Sequence, residues 1–286
     1  MMWIAFSVLS VIFGAAFLVI EKRTLFNEHA MEFTAVIFFI NAALSMFLVP
    51  FIDLNFPAYV LILLIISSVI ESFAFLYMAK SLRHSQISGT LPLMAFVPIV
   101  TLLLAVTMLG EVFTGRQFIG MAFIVSGAYF LKLNKITHIL VPFKTLYQSK
   151  SAHYILIAVI LYGVASIIDK YTLEFAAPLT VIFVSSIIRF VVVLCLIYLF
   201  HDGIKGIGHG LFNFKWIFLA AFTLIMARVF IIAAMNIAPV SLVISFHRLA
   251  VLIAVFVGGK MFHEGHILHK LSASAIMLVG AYLIVA

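Results

Sequence analysis

The chain is predicted to be an all-α polytopic membrane protein of ten transmembrane helices, arranged as two inverted five-helix repeats. Three observations carry that prediction. Of its 286 residues 66% are hydrophobic and only 9% charged, against about 25% charged in soluble domains, and the mean hydropathy is +1.30. Ten windows of about 20 apolar residues follow one another, each long enough to cross a hydrocarbon core about 30 Å thick. The two halves of the chain then carry the same features in the same order.

The windows lie near 2–20, 33–52, 57–79, 89–110, 115–133, 153–170, 178–200, 214–236, 240–260 and 268–286. They are too long for tilted barrel strands and do not alternate, so helices that satisfy their own backbone groups are the remaining solution in lipid. The first has no positively charged segment before it and no A-x-A-like cleavage site, so it is expected to be retained and not removed as a signal peptide. The fourth contains Pro92 and Pro98, which remove backbone donors and permit a bend, a candidate hinge. Before the fifth, Thr114 and Gln117 in "TGRQ" have the spacing of a capping box. The longest connection, 134–152, is too short for a soluble domain. The predicted organisation is a first repeat over 1–134, a connecting loop over 135–152 and a second repeat over 153–286, so function must reside within or between the spans. Cys195 is the single cysteine, which excludes an intramolecular disulfide and a thiolate-rich metal site within one chain.

Connections after odd-numbered spans hold 12 of the Lys and Arg residues and those after even-numbered spans hold only Arg116 and Lys170. The positive-inside tendency places the odd connections in the cytoplasm and both termini outside. This asymmetry also accounts for the excess of 17 Lys and Arg over 10 Asp and Glu. No nucleic-acid motif accompanies it.

The stretch "MLGEVFTGRQFIGMAFIVSGAY" lies over "MFHEGHILHKLSASAIMLVGAY" at a constant offset of about 153 positions, matching Met108, Glu111, Ala122, Gly127, Ala128 and Tyr129 with Met261, Glu264, Ala275, Gly280, Ala281 and Tyr282. Earlier in each half "EKRTL" at 21–25 matches "DKYTL" at 169–173. Five spans per half, an odd number, force the second copy to enter the membrane with opposite orientation, the inverted-repeat plan of many secondary transporters. Ten spans in two halves, with "LGE" closing the fourth and "QFIGMAFIVSGAYFL" following, resemble the EamA-type transporters of the drug/metabolite transporter superfamily. The second half departs from that pattern at Phe262, His263, Lys270 and Ala273. The resemblance covers essentially the whole chain. It implies a central cavity lined by both halves, export or exchange of small metabolites, and termini in the cytoplasm, opposite to the charge count.

Arg189, Arg228 and Arg248 lie within spans. A charge there is costly, so each is expected to face the bundle interior, a partner or water. If Phe73 and Met78 are laid over Phe230 and Met235, Glu71, the sole carboxylate near the middle of a span, falls opposite Arg228. The pair reads either as a structural tie between the halves or as part of a binding site. Arg248 and the adjacent His247 are second-half features, Met94 and Ala95 standing at their first-half counterparts. Glu71, Arg189, Arg228, Arg248 and His247 are therefore the candidate binding residues, with His247 also readable as a hydrogen-bonded packing residue. One carboxylate against three guanidinium groups leaves +2, which favours an anion or the carboxylate of a zwitterion.

Glu21–Lys22 and Asp169–Lys170 are expected to be interfacial pairs that close their spans. Glu111 and Glu264 are candidate gate latches or helix caps. The small residues of "SGAY" and "VGAY" suit close helix packing, or a contact in a homodimer. "HEGHILH" contains His263, His266 and His269 but lacks the H-E-x-x-H spacing and is read as a turn, with no metal.

The leading function is a multi-pass secondary transporter of the cell (plasma or inner) membrane, an exporter or exchanger of a small anionic or zwitterionic metabolite by alternating access. It would need no cofactor, and its partners would be the substrate, membrane lipid and a coupling proton or counter-substrate. No G-x-x-x-x-G-K-[ST] loop is present to support ATP drive. The alternatives are an intramembrane enzyme acting on a lipid or peptide, against which stands the lack of paired mid-span carboxylates, and a non-transporting assembly subunit.

Overall fold

A computed structural model describes the chain apart from residues 1, 88–90, 109, 111–113, 133–149, 201–213, 264–266 and 286. Among the described residues all regular structure is helical. The helices are α1 (Met2–Thr24), α2 (Ala30–Ser45, continuing as a 3₁₀ turn Met46–Phe51), α3 (Ala58–Arg83), α4 (Val97–Met108, preceded by a 3₁₀ turn Leu91–Phe96) and α5 (Gly115–Lys132). They continue as α6 (Lys150–Thr172), α7 (Pro178–Phe200), α8 (Phe214–Ile237), α9 (Val240–His247), α10 (Leu249–Met261) and α11 (Ile267–Val285).

Seven segments among the described residues are long and apolar enough to cross a membrane: α1, α2 with its 3₁₀ turn, α3, α6, α7, α8, and α9 with α10. The three other expected spans correspond to α4, a shorter apolar helix of 12 residues, and to α5 and α11, of 18 and 19 residues. The fourth window does not form one continuous helix. A 3₁₀ turn precedes α4, and Pro98 lies in the first turn of α4, where an intrahelical donor is not needed.

The ninth window is also broken, at a place with no proline or glycine. α9 stops at His247 and α10 starts at Leu249. Arg248 between them donates its N–H to the carbonyls of both Ile244 and Ser245, at 3.2 and 3.3 Å, and accepts from Val251 at 3.0 Å. The hydrogen-bond ladder tightens there to the i→i+3 pattern of a 3₁₀ turn. Shifted by 153 positions, the start of α4 at Val97 falls on Ala250, one residue into α10. The two breaks thus occupy matching positions in the two halves.

Helices from the two halves are interleaved. α1 packs chiefly on α8, α3 on α6, α5 on α11 and α2 on α7. The α5–α11 contact is close because each helix brings a glycine to it. A Cβ on Gly127 would sit 2.9 Å from the Ala273 carbonyl oxygen, and one on Gly280 would sit 2.5 Å from the Gly120 oxygen and 2.9 Å from the Ile124 nitrogen. The "SGAY" and "VGAY" glycines therefore serve packing within one chain, the backbone approach that small residues allow between membrane helices. "TGRQ" forms the reciprocal box expected of it: Thr114 N–H donates to Gln117 Oε1 at 3.2 Å and Gln117 N–H to Thr114 Oγ1 at 3.4 Å.

Gly280→Ala is expected to force α5 and α11 apart and lower stability by about 1–3 kcal/mol, the usual cost of overpacking. Gly115→Ala, where a Cβ would meet nothing within 4 Å, serves as the control. Thermal unfolding of the detergent-solubilised protein compares the two, and equal melting temperatures would show that the α5–α11 backbones are not in tight contact.

Candidate functional site

Between the helices lies a cavity of about 150 Å³. Its walls come from α1, α2, α3, the 3₁₀ turn before α4, α6, α7, α8, α9 and α10, and they are mostly apolar, with Phe17, Phe38, Phe75 and Met78 among them. Glu71, Asp169, Arg189, Arg228, His247 and Arg248 also line it, so the three intramembrane arginines share one void.

Four of these charges form a continuous network. Glu71 on α3 accepts from Arg189 Nη1 on α7 through Oε2 at 3.3 Å, and from Arg228 Nη1 on α8 through Oε1. Arg228 Nη2 reaches across to Asp169 Oδ2 on α6 at 3.0 Å. Asp169 is completed by the Ser67 hydroxyl, which donates to Oδ1. The remaining donors of Arg189 are satisfied within its own helix. Nε donates to the Ser185 carbonyl at 3.1 Å, and Nη2 to the Ser185 and Ser186 hydroxyls at 3.4 and 3.3 Å. Its guanidinium also lies over the Phe38 ring, 5.6 Å from the centroid. Two buried acids therefore answer one buried base, Arg189, and one part-buried base, Arg228. In a low-dielectric interior that is the condition under which desolvated charges are tolerated.

The sequence alignment that placed Glu71 opposite Arg228 used an offset of about 157 positions, whereas the structure points to 153. Lys22 Nζ donates to the carbonyls of Leu82 and Ser85 at 2.7 and 2.8 Å. Lys170 Nζ does the same to Met235 and Ala238 at 2.6 and 3.1 Å. Each lysine satisfies orphan carbonyls at the C-terminal end of a helix, α3 and α8 respectively, where a cation is also favoured by the helix dipole. The two pairs of acceptors are related by 153 positions. Glu71 and Arg228 meet although they are one helical turn out of that register.

The reading of Glu21–Lys22 and Asp169–Lys170 as interfacial pairs is corrected by these contacts. α1 continues to Thr24 and α6 to Thr172, so all four residues are still helical. Glu21 and Asp169 are 0% and 2% exposed, and each lysine turns to a neighbouring helix end. Asp169 is the site residue that sequence reasoning missed, and with it two carboxylates face three guanidinium groups, a balance of +1 and not +2. Its signal was the acid–Lys pair recurring at matched places in both halves.

Arg248 stands apart from the network. It is 9% exposed, lines the cavity, leaves Nε buried without a hydrogen-bond partner, and has no carboxylate partner among the described residues. Beside it His247 Nδ1 lies 3.0 Å from the Ser10 hydroxyl, whose own hydrogen is directed to the Ser7 carbonyl at 2.8 Å. With that hydrogen committed, Nδ1 is the donor to Ser10. His247 is thus a hydrogen-bonded residue and a wall of the cavity at once.

Of the hinge and latch candidates, Pro92 falls in the 3₁₀ turn Leu91–Phe96 and Pro98 is buried in α4 away from the cavity lining, while Glu111 and Glu264 lie outside the described residues, as does His266 of "HEGHILH". His269 places Nε2 against the Phe130 carbonyl, and His263 has a positive φ of 54°. Among the described residues no three His, Cys, Asp or Glu side chains gather as a metal site.

A helical, multi-pass membrane protein with a charged central cavity is the class these features define. The chain belongs to the EamA-like transporter family, whose model matches residues 1–133 and 149–286, and so to the drug/metabolite transporter superfamily. No curated protein matches it. Among solved structures, one crystal structure covers 98% of this chain and 94% of its own at 13% sequence identity, with a TM-score of 0.69, a likeness of fold.

Two outcomes test the site. Arg228→Leu leaves Glu71 and Asp169 buried and short of a partner, and is expected to cost about 3–5 kcal/mol, seen as a large drop in melting temperature. Lys22→Met and Lys170→Met should each cost about 1.5–3 kcal/mol, the range for hydrogen bonds from a charged donor. A clear cost for one lysine and none for the other would contradict their equivalence.

Proposed function

We propose that the protein is a secondary transporter, an exporter or exchanger of a small anionic or zwitterionic metabolite, working by alternating access across the plasma or inner membrane. The observation that carries this reading is Arg248, a cation in the cavity wall that no carboxylate among the described residues neutralises. The substrate's negative group binds there beside His247. The Arg189–Glu71–Arg228–Asp169 network lines the same cavity, where Glu71 and Asp169 can attract the ammonium of a zwitterion. Apolar walls such as Phe17, Phe75 and Met78 shield these charges from water and strengthen their pull.

The motion follows from a ten-span, inverted-repeat layout with repeats over 1–134 and 153–286. Three features support that layout. The family match falls in two blocks, one per half. The packing pairs α1–α8 and α3–α6 exchange when each half is mapped on the other, and α5–α11 and α2–α7 map on themselves. The lysine caps and the helix breaks also recur. Repeats of opposite orientation can rock about a midplane site and expose it to each side in turn. A solute or ion gradient supplies the work.

The test is uptake into proteoliposomes of a labelled panel of amino acids, dicarboxylates and phosphorylated metabolites. Arg248→Ala is expected to reduce transport of the accepted solute by about tenfold or more, the loss of one charged hydrogen bond, and Arg248→Lys by less. Transport that survives Arg248→Ala and Glu71→Gln unchanged would remove the assigned site.

A further inference from the structure

We infer that Glu21 is a proton-binding site at one end of the cavity, and, resting on the transport reading above, the place where a coupling proton rides. Gly14, Phe17 and Leu18 of α1 line the cavity, and Glu21 continues that stripe at the i+3 and i+4 positions, one turn further on. It is 0% exposed, and neither carboxylate oxygen has a hydrogen-bond partner among the described residues. An ionised carboxylate so placed would lose its hydration and gain no hydrogen bond from the described residues, only the longer-range attraction of the neighbouring Lys22, whereas a neutral carboxyl loses far less.

Its isolation has a cause in the sequence. Glu21 and Asp169 hold corresponding places in "EKRTL" and "DKYTL". Asp169 is answered by Ser67 and Arg228. In the 153 register of the lysine caps, the positions that correspond to Ser67 and Arg228 are Ala220 and Phe75, neither of which carries a hydrogen-bond donor in its side chain. One half has built a hydrogen-bonded ion pair, and the other has left its acid without a hydrogen-bonded partner among the described residues.

The surrounding charges are committed elsewhere. Lys22 on the same helix turns to the α3 carbonyls and Arg23 lies over Trp216. From the helices packed against α1, Arg228 is held by Glu71 and Asp169, Arg83 bonds His29, Lys80 and Lys260 lie over the rings of Tyr77 and Phe256, Lys215 is exposed, and His247 and Arg248 face the cavity. Tyr162 on α6, which lines the cavity, stands within electrostatic reach of Glu21 as well as Glu71, Arg189 and Arg248. Tyr162 thus belongs both to the cavity wall and to the electrostatic surroundings of the acid. When the cavity is open to one side, the carboxylate takes a proton from water and a carboxyl O–H forms. When the helices rearrange and the other side opens, that bond breaks and the proton returns to water.

The proton itself is the probe. Infrared spectra of the wild-type protein in lipid nanodiscs at neutral pH are expected to contain the carbonyl stretch of a protonated carboxylic acid that is missing from Glu21→Gln, a near-isosteric change that should keep the fold and the melting temperature. In D₂O that band should shift, and Tyr162→Phe should slow the shift. Spectra of wild type and Glu21→Gln that coincide in this region would overturn the inference, as would a band that never exchanges with D₂O. Because no solute is needed, this outcome is independent of whether the transport assay finds a substrate.

Discussion

Lipid offers a charge neither water nor a hydrogen bond, so an ionised side chain in this bundle must be met by another part of the protein or face a cavity. The chain Arg189–Glu71–Arg228–Asp169–Ser67 is how four of them are met, and the helices that supply it cannot be placed independently. α3 brings the acid, α7 and α8 bring the bases, and α6 supplies the second acid and closes the line. Breaking any one link strands its neighbour in a low-dielectric interior, which is more costly than never having buried the pair. The network therefore sets how the first-half helix α3 sits among α6, α7 and α8 of the second half.

Around that tie the two halves keep a common frame and diverge in chemistry. Lys22 and Lys170 close the ends of α3 and α8 in the same way, and the glycine pair Gly127 and Gly280 joins α5 to α11. These are backbone devices and can be duplicated without choosing a substrate. The cavity-facing positions are not matched. His247 and Arg248 stand where the first half has Met94 and Ala95, and Arg228 stands where it has Phe75.

Much of the fold could be read from hydropathy, because a segment long enough to cross lipid must be apolar throughout. The presence of Arg189, Arg228 and Arg248 inside such segments was equally plain, since so few charges survive there. Asp169 and Glu21 were harder. The first apolar window stops just short of Glu21 and the sixth holds Asp169 only in its last turn, yet both helices run on to Thr24 and Thr172, and nothing local distinguishes a carboxylate at an interface from one folded inward. The break at Arg248 was hidden for a different reason: no proline or glycine marks it, and the tightened turn is held by ordinary backbone groups.

The amino-acid sequence alone determined that the chain lives in a membrane, that it repeats, and which basic residues had to be sheltered, because apolar length and the cost of burying charge are properties of the residues themselves. Which acid answers which base, that Glu21 is left unanswered, and that Arg248 remains free to face the cavity were decided only by the tertiary structure. Those outcomes depend on how helices distant in the chain rotate and approach one another, to within the few ångströms over which an ion pair forms.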